Sequence, residues 1–241
     1  MGYNLTIDQG NSATKVALWR ESNMFKSMRY DDLTVVDIKA LANDYELDAL
    51  ILSSVKVVDT SILDVINNIC RNVYILNHQT KLPIKIEYVS PETLGHDRIA
   101  AAVGANMISP GKTLLVVDYG TAVTYDIVTN DGRYIGGNIA PGLNMRIDAL
   151  HHNTARLPQV VVDGDCPLWG NNTDTAIRAG VIYGMVGELT YYRSKLPDDV
   201  VVVCTGGYAE IISGMVDFGV IVEPNLVNIG LNNIILYNEN K

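Results

Sequence analysis

The chain has 241 residues, 48% hydrophobic and 19% charged, with a formal net charge of -9. That length can bury the core of one large domain or two small ones, and the composition is globular rather than disordered. The acidic balance argues against nucleic acid as a main partner, since phosphate binding favours a basic patch, and no apolar run approaches the roughly 20 residues of a membrane span.

The first residues lack a basic region followed by an apolar stretch, so no secretion signal is expected. Cys70, Cys166 and Cys204 are scattered and without CxxC spacing. They argue against a disulfide framework or a zinc site and fit a reducing cytoplasm.

Apolar patterning predicts strands at 3–8 and 14–20, joined by the turn Gln9-Gly10-Asn11-Ser12, and a third strand at 24–30. A helix is expected at 35–45, a buried strand at 49–53, and a helix at 60–71 capped near Asp59 or Thr60. A short strand at 73–76 and an alanine-rich helix at 95–108 follow. Pro110-Gly111 is the strongest punctuation, and halves at 1–111 and 112–241 are expected from it.

The pattern then restarts. Strands are predicted at 114–118, 124–129 and 134–139, the last two joined by the hairpin turn Asn130-Asp131-Gly132. A short helix at 142–150, an irregular stretch at 158–172, and a long helix at 173–195 come next. A strand at 200–204 and helices at 208–218 and 225–238 close the chain.

Shifting the sequence by 110 residues without a gap aligns Asp8 with Asp118, Gly10 with Gly120 and Thr14 with Thr124. Each half reads as three hairpin-linked strands followed by a βα alternation, so a duplicated pair of α/β domains facing one cleft is expected. A single Asp-x-Gly is an ordinary Asx-turn signal. Two copies at equivalent places suggest chemistry, because glycine lets a phosphate approach the backbone and successive turn N–H groups form an anion nest.

Ser12, Thr121 and Thr124 can donate to phosphate oxygens, Asp8 and Asp118 can hold a cation, and Lys15 is either a phosphate contact or a solvated strand residue. Thr205-Gly206-Gly207 leaves a buried strand and opens a helix, where a nucleotide can meet helix N–H groups. There is no GxGxxG in the first βα unit and no GxxxxGK[ST], which excludes the dinucleotide fingerprint and the P-loop.

Paired Asp-x-Gly hairpins with a late Gly-Gly element resemble the actin, sugar-kinase and heat-shock chaperone superfamily. Within it, the sequence is similar to type III pantothenate kinases over nearly its whole length. The resembling segments are Asp8-Gln9-Gly10-Asn11-Ser12-Ala13-Thr14-Lys15, Gly95-His96-Asp97-Arg98, 118–126, 136–143, 172–177 and Thr205-Gly206-Gly207.

The resemblance implies two actin-like, ribonuclease H-like domains and phosphorylation of pantothenate by ATP. Asp97 is then the catalytic base. Tyr88, Gly95, His96, Asp97, Arg98 and Thr173 bind the substrate, while residues 8–15 and Thr121 bind ATP. The resemblance also implies a monovalent cation, K⁺ or ammonium, on Asp118, with Mg²⁺ accompanying ATP.

It further implies a cytoplasmic homodimer with 141–150 in the interface, where a core helix face is the bland alternative. Ser12 stands where threonine is usual and keeps the hydroxyl. For Asp97-Arg98 the bland reading is a dipole-favoured acid beside a solvated arginine. His151-His152 lacks a third metal ligand. The rival functions are a superfamily kinase for another small alcohol and a non-catalytic transcriptional accessory factor.

Overall fold

A computed structural model describes residues 2–239; Met1, Asn240 and Lys241, at the outer ends of the expected halves, lie outside the described residues. The elements run β1 (Tyr3–Gln9), β2 (Thr14–Arg20), β3 (Asn23–Tyr30), α1 (Val35–Asp44), β4 (Leu47–Ser54), α2 (Thr60–Ile69), β5 (Asn72–Ile75), β6 (Lys85–Ile86) and α3 (His96–Ile108). They continue with β7 (Leu114–Tyr119), β8 (Ala122–Val128), β9 (Arg133–Pro141), α4 (Leu143–His152), α5 (Thr173–Arg193), β10 (Val201–Gly206), α6 (Ala209–Ser213), β11 (Val220–Val222) and α7 (Leu226–Asn238).

Local chemistry sets the helix starts. Thr34 and Asp37 form a reciprocal capping box at α1, and Asp59 accepts from the Ser61 N–H to cap α2. Asn172 and Thr175 form the corresponding box at α5. The hairpin turn before β9 closes through the Gly132 N–H on the Thr129 carbonyl at 2.9 Å.

Two sheets result. The first has the order β3-β2-β1-β4-β5 and the second β11-β10-β7-β8-β9-β6. Read from β9 to β11, the second repeats the order of the first, third-second-first-fourth-fifth, with β6 added beside β9. The restart in the sequence is therefore a repeated mixed α/β topology.

The helix expected at 208–218 is a correction: it is the five-residue α6, ended at Gly214, and β11 then pairs in parallel with β10. β6 and β11, of two and three residues, are too short to carry a period. The second helix also ends two residues earlier than expected, since Cys70 is extended at φ -137°, ψ 139°.

The chain forms two compact units. Among the described residues, one comprises 2–111, 128–136 and 225–239, and the other 112–127 and 137–224. In the first unit, Leu5, Ile7, Val16, Leu18, Leu50 and Leu52 of the sheet pack on Ile38 and Leu41 of α1 and Ile62 and Ile66 of α2. α7 lies against α3 and β1 in the same unit. In the second, Leu115, Val117, Tyr119 and Tyr125 pack against Ile177, Val181, Met185 and Leu189 of α5.

Candidate active site

In the first unit the β1–β2 hairpin fixes the first Asp-x-Gly loop. Asp8 stands opposite Lys15 and Gln9 opposite Thr14, while the Gly10 N–H donates to the Ala13 carbonyl at 3.1 Å. Asn11 and Ser12 are exposed at the tip, with Ala13 half-buried behind them. Directly opposed residues of a pair share a sheet face, so the register puts the Lys15 ammonium on the face of the Asp8 carboxylate.

The parallel neighbour β4 ends beside the loop, with Asp8 paired to Ser53 and Gln9 to Ser54. Ser54 Oγ donates to Gln9 Oε1 at 2.8 Å, and the Val55 N–H donates to the Gln9 carbonyl at 3.1 Å. Gln9, a filler position in the sequence motif, is an anchor of the loop. Sequence reasoning missed Ser53 and Ser54. β10 places Thr205 and Gly206 against Asp118 and Tyr119 in the same way, a correspondence that the shift of 110 residues does not reach.

The 95–98 segment starts α3. Asp97 lies in its first turn, and its Oδ1 accepts from the Arg98 N–H at 2.8 Å. A Cβ on Gly95 would come within 2.5 Å of that same Oδ1, so the glycine makes room for the carboxylate. Arg98 is 6% exposed, which excludes the solvated reading of this residue. Its guanidinium carbon lies 5.9 Å from the Tyr88 ring centre, and Tyr88 meets Tyr134 edge to face at 6.1 Å. Tyr88, Gly95, His96, Asp97 and Arg98 thus come together within this unit.

The second unit carries the other loop. The Gly120 N–H donates to the Ala122 carbonyl at 3.1 Å, the counterpart of the Gly10 bond, and Thr121 is exposed. Gly206 has φ +93°, and a Cβ there would lie 2.5 Å from the Tyr119 carbonyl oxygen and 2.6 Å from Asp118 Oδ1. Glycine is required at this position by both backbone conformation and close approach. The Gly-Gly element and Asp118 therefore form one place. Burial pushes the Tyr119 and Tyr125 hydroxyls well above their ordinary range, so both stay neutral.

Thr173 opens α5 on an open groove of about 890 Å³ that also includes Pro141, Met145, Arg146, Ala149 and Ile177. Asp126, next to no assigned chemistry in the sequence, is 1% exposed in β8. His151 and His152 end α4 with their Nδ1 atoms on the Leu157 and Asp148 carbonyl oxygens. Among the described residues there is no cluster of three or more His, Cys, Asp or Glu able to hold a metal ion. No helix among them is long and apolar enough to cross a membrane.

The family model described as type III pantothenate kinase matches residues 4–195. The chain is 38% identical to a type III pantothenate kinase of Phocaeicola vulgatus over 239 residues, 98% of this chain and 99% of the relative. It is 37% identical to that of Porphyromonas gingivalis, covering 99% of this chain and all of the relative.

Among solved structures, a Campylobacter jejuni protein named as a Baf family transcriptional activator aligns with a TM-score of 0.64 at 23% identity, over 98% of this chain and 100% of the other. The ROK hexokinase of Thermus thermophilus aligns with a TM-score of 0.52 at 15% identity, over 99% and 100%. These two likenesses concern the fold alone.

Proposed function

The chain belongs to the type III pantothenate kinase family, and from that premise we propose how its residues carry the reaction. It is an ATP-dependent pantothenate kinase, forming 4′-phosphopantothenate in the first step of coenzyme A biosynthesis. The primary alcohol oxygen of pantothenate bonds to the γ-phosphorus of ATP as the bond to the β-phosphate oxygen breaks. ADP leaves, and the alcohol proton goes to Asp97.

With Oδ1 of Asp97 held by the Arg98 N–H, Oδ2 is the oxygen that meets the alcohol. Such a base contributes about 10²–10⁴-fold, and in phosphoryl transfer much of that is orientation. Arg98, buried against Tyr88, clamps the pantothenate carboxylate with its planar fork. Thr173 completes the substrate contacts.

Residues 8–15 and Thr121 hold the phosphates, with Lys15 as the cation in the first loop, and the side-chain-free Gly206-Gly207 surface receives the adenosine end. Asp118 holds K⁺ or ammonium. The donor set fits such an ion: a single carboxylate at a strand end suits a monovalent cation, whereas a dedicated divalent cage gathers several oxygen ligands. When bound, that cation adds positive charge beside the triphosphate. Mg²⁺ travels with ATP, held mainly by phosphates and water.

We further propose a cytoplasmic homodimer with the 141–150 segment in its interface. Its support is the apolar groove along α4 and α5 together with exposed Ile139 and Met145. As functional halves we assign 1–111, with the first loop and the Asp97 segment, and 112–241, with the second loop and the Gly-Gly element.

The observation that carries the reading is the Asp97 carboxylate, given room by Gly95 and fixed by the Arg98 N–H beside a buried guanidinium. The test is ADP release with pantothenate in K⁺ and in Na⁺, on wild type and Asp97→Asn. K⁺-dependent turnover that collapses in the variant is expected. Equal rates in both proteins would remove Asp97 from its role, and turnover of a sugar with none of pantothenate would end the substrate assignment.

A further inference from the structure

The second phosphate loop is supported from behind. The Gly142 N–H donates to the Thr121 carbonyl at 3.1 Å, which ties the junction of β9 and α4 to the loop. One residue earlier, the Pro141 carbonyl accepts from Arg146 Nε at 2.7 Å. The two other guanidinium nitrogens meet Glu188 of α5 as a fork, Nη1 on Oε1 and Nη2 on Oε2, both at 2.8 Å. Glu188 Oε2 also accepts from the Tyr125 hydroxyl at 3.0 Å, and Tyr125 is buried in β8.

In the first turn of α4, Asn144 Oδ1 accepts from the Tyr208 hydroxyl at 2.9 Å. Tyr208 directly follows Gly206-Gly207. The start of α4 is therefore a common support for Thr121 and for the Gly-Gly element.

We propose that Arg146 is a positioning residue of the kinase reaction, which sets the second phosphate loop through the Pro141–Gly142 junction. This rests on the functional reading above, which puts nucleotide on Thr121 and Gly206-Gly207. The pair is only partly exposed, 17% for the Arg146 side chain and 33% for that of Glu188, so the fork is held in a defined orientation. What the arrangement supplies is direction: three guanidinium nitrogens are used at once, in a plane. Lysine keeps the charge and cannot reproduce that fork.

The test uses the full chain with Arg146→Lys and Glu188→Gln, reading MgADP affinity by calorimetry, kcat, both KM values, thermal unfolding and mass in solution. In folded variants of unchanged mass, MgADP affinity and kcat should each fall about tenfold or more, as small misplacements of a site do. The pantothenate KM should move by less than about threefold, which separates the effect from a general loss of structure.

MgADP affinity and kcat both within about twofold of wild type in either folded variant would overturn the proposal. Should wild type bind MgADP and transfer nothing to pantothenate, the functional reading falls, and the MgADP affinities still decide the role of Arg146. Failure of wild type to bind MgADP overturns both.

Discussion

Asn4 Nδ2 donates to Asn232 Oδ1 at 3.0 Å, joining the strand that ends in the first Asp-x-Gly loop to α7. Asn232 Nδ2 in turn donates to the Glu21 carbonyl at 2.8 Å, and both asparagines are buried. Four positions away on α7, Asn228 accepts from Thr6 Oγ1 at 2.8 Å, while its Nδ2 has no partner among the described residues. The two asparagines are thus not equivalent. Asn232→Leu strands a buried donor and a carbonyl and should lower the unfolding free energy by about 1–3 kcal/mol. Asn228→Leu should cost less, since the Thr6 hydroxyl keeps the Ala17 carbonyl at 3.3 Å. Urea unfolding of both variants checks the order, and a larger loss for Asn228→Leu contradicts it.

Gly95→Ala tests the room around Asp97, the proposed base. The new Cβ would crowd Asp97 Oδ1, so the carboxylate must turn. A fall in kcat on the order of 10²-fold with unchanged thermal stability is expected. Unaltered kcat would mean that the Asp97 orientation does not depend on this position.

Gly206→Ala should act on both stability and the cation response. An alanine at φ +93° is strained by roughly 1–3 kcal/mol, and its Cβ would push on Asp118. Chemical unfolding should show the strain, and the ratio of activity in K⁺ to that in Na⁺ should fall. A preserved ratio would remove Asp118 from the cation site.

Acid should weaken the fold in part through a few exposed carboxylates. The Thr34 hydroxyl and N–H hold Asp37 below its ordinary 3.8. Lys85 and then Arg133 hold Glu87 below 4.5, and the Thr129 hydroxyl and Arg133 hold Asp131 below 3.8. Because folding lowers these values, their stabilisation is complete above the ordinary carboxylate range and is lost as pH falls through the folded ones. The urea midpoint should therefore begin to drop near pH 4.5 and fall further below 3.8, with Asp37→Asn flattening part of the curve. A midpoint that rises on acidification contradicts the sign.

Much of the candidate site was legible because its geometry is local. The Asp-x-Gly loops are turns between adjacent strands, and Asp97 with Arg98 is a helix start, so spacing along the chain is enough to find them. Their assignment to pantothenate came from resemblance to a family, not from the spacing. Ser53, Ser54, Arg146 and Glu188 were not legible, since the two serines meet residues 45 positions away in the chain and Arg146 meets Glu188 across 42. Tyr208–Phe218 read as helix because its apolar residues recur at helical spacing, yet only five residues keep that form, and β10 recruits β11 instead.

By itself, the sequence determined the two Asp-x-Gly turns, their repeat at a shift of 110 residues and the cap of α2 at Asp59. All of these depend on interactions between near neighbours, which glycine, aspartate and hydroxyl residues dictate directly. The tertiary structure decided the rest: that β4 and β10 end against the two aspartates, that Arg98 is buried, and that α7 returns to β1 and α3. Parallel strand pairing and helix packing join residues whose separation in the chain carries no periodic signal, so only the folded chain reveals them.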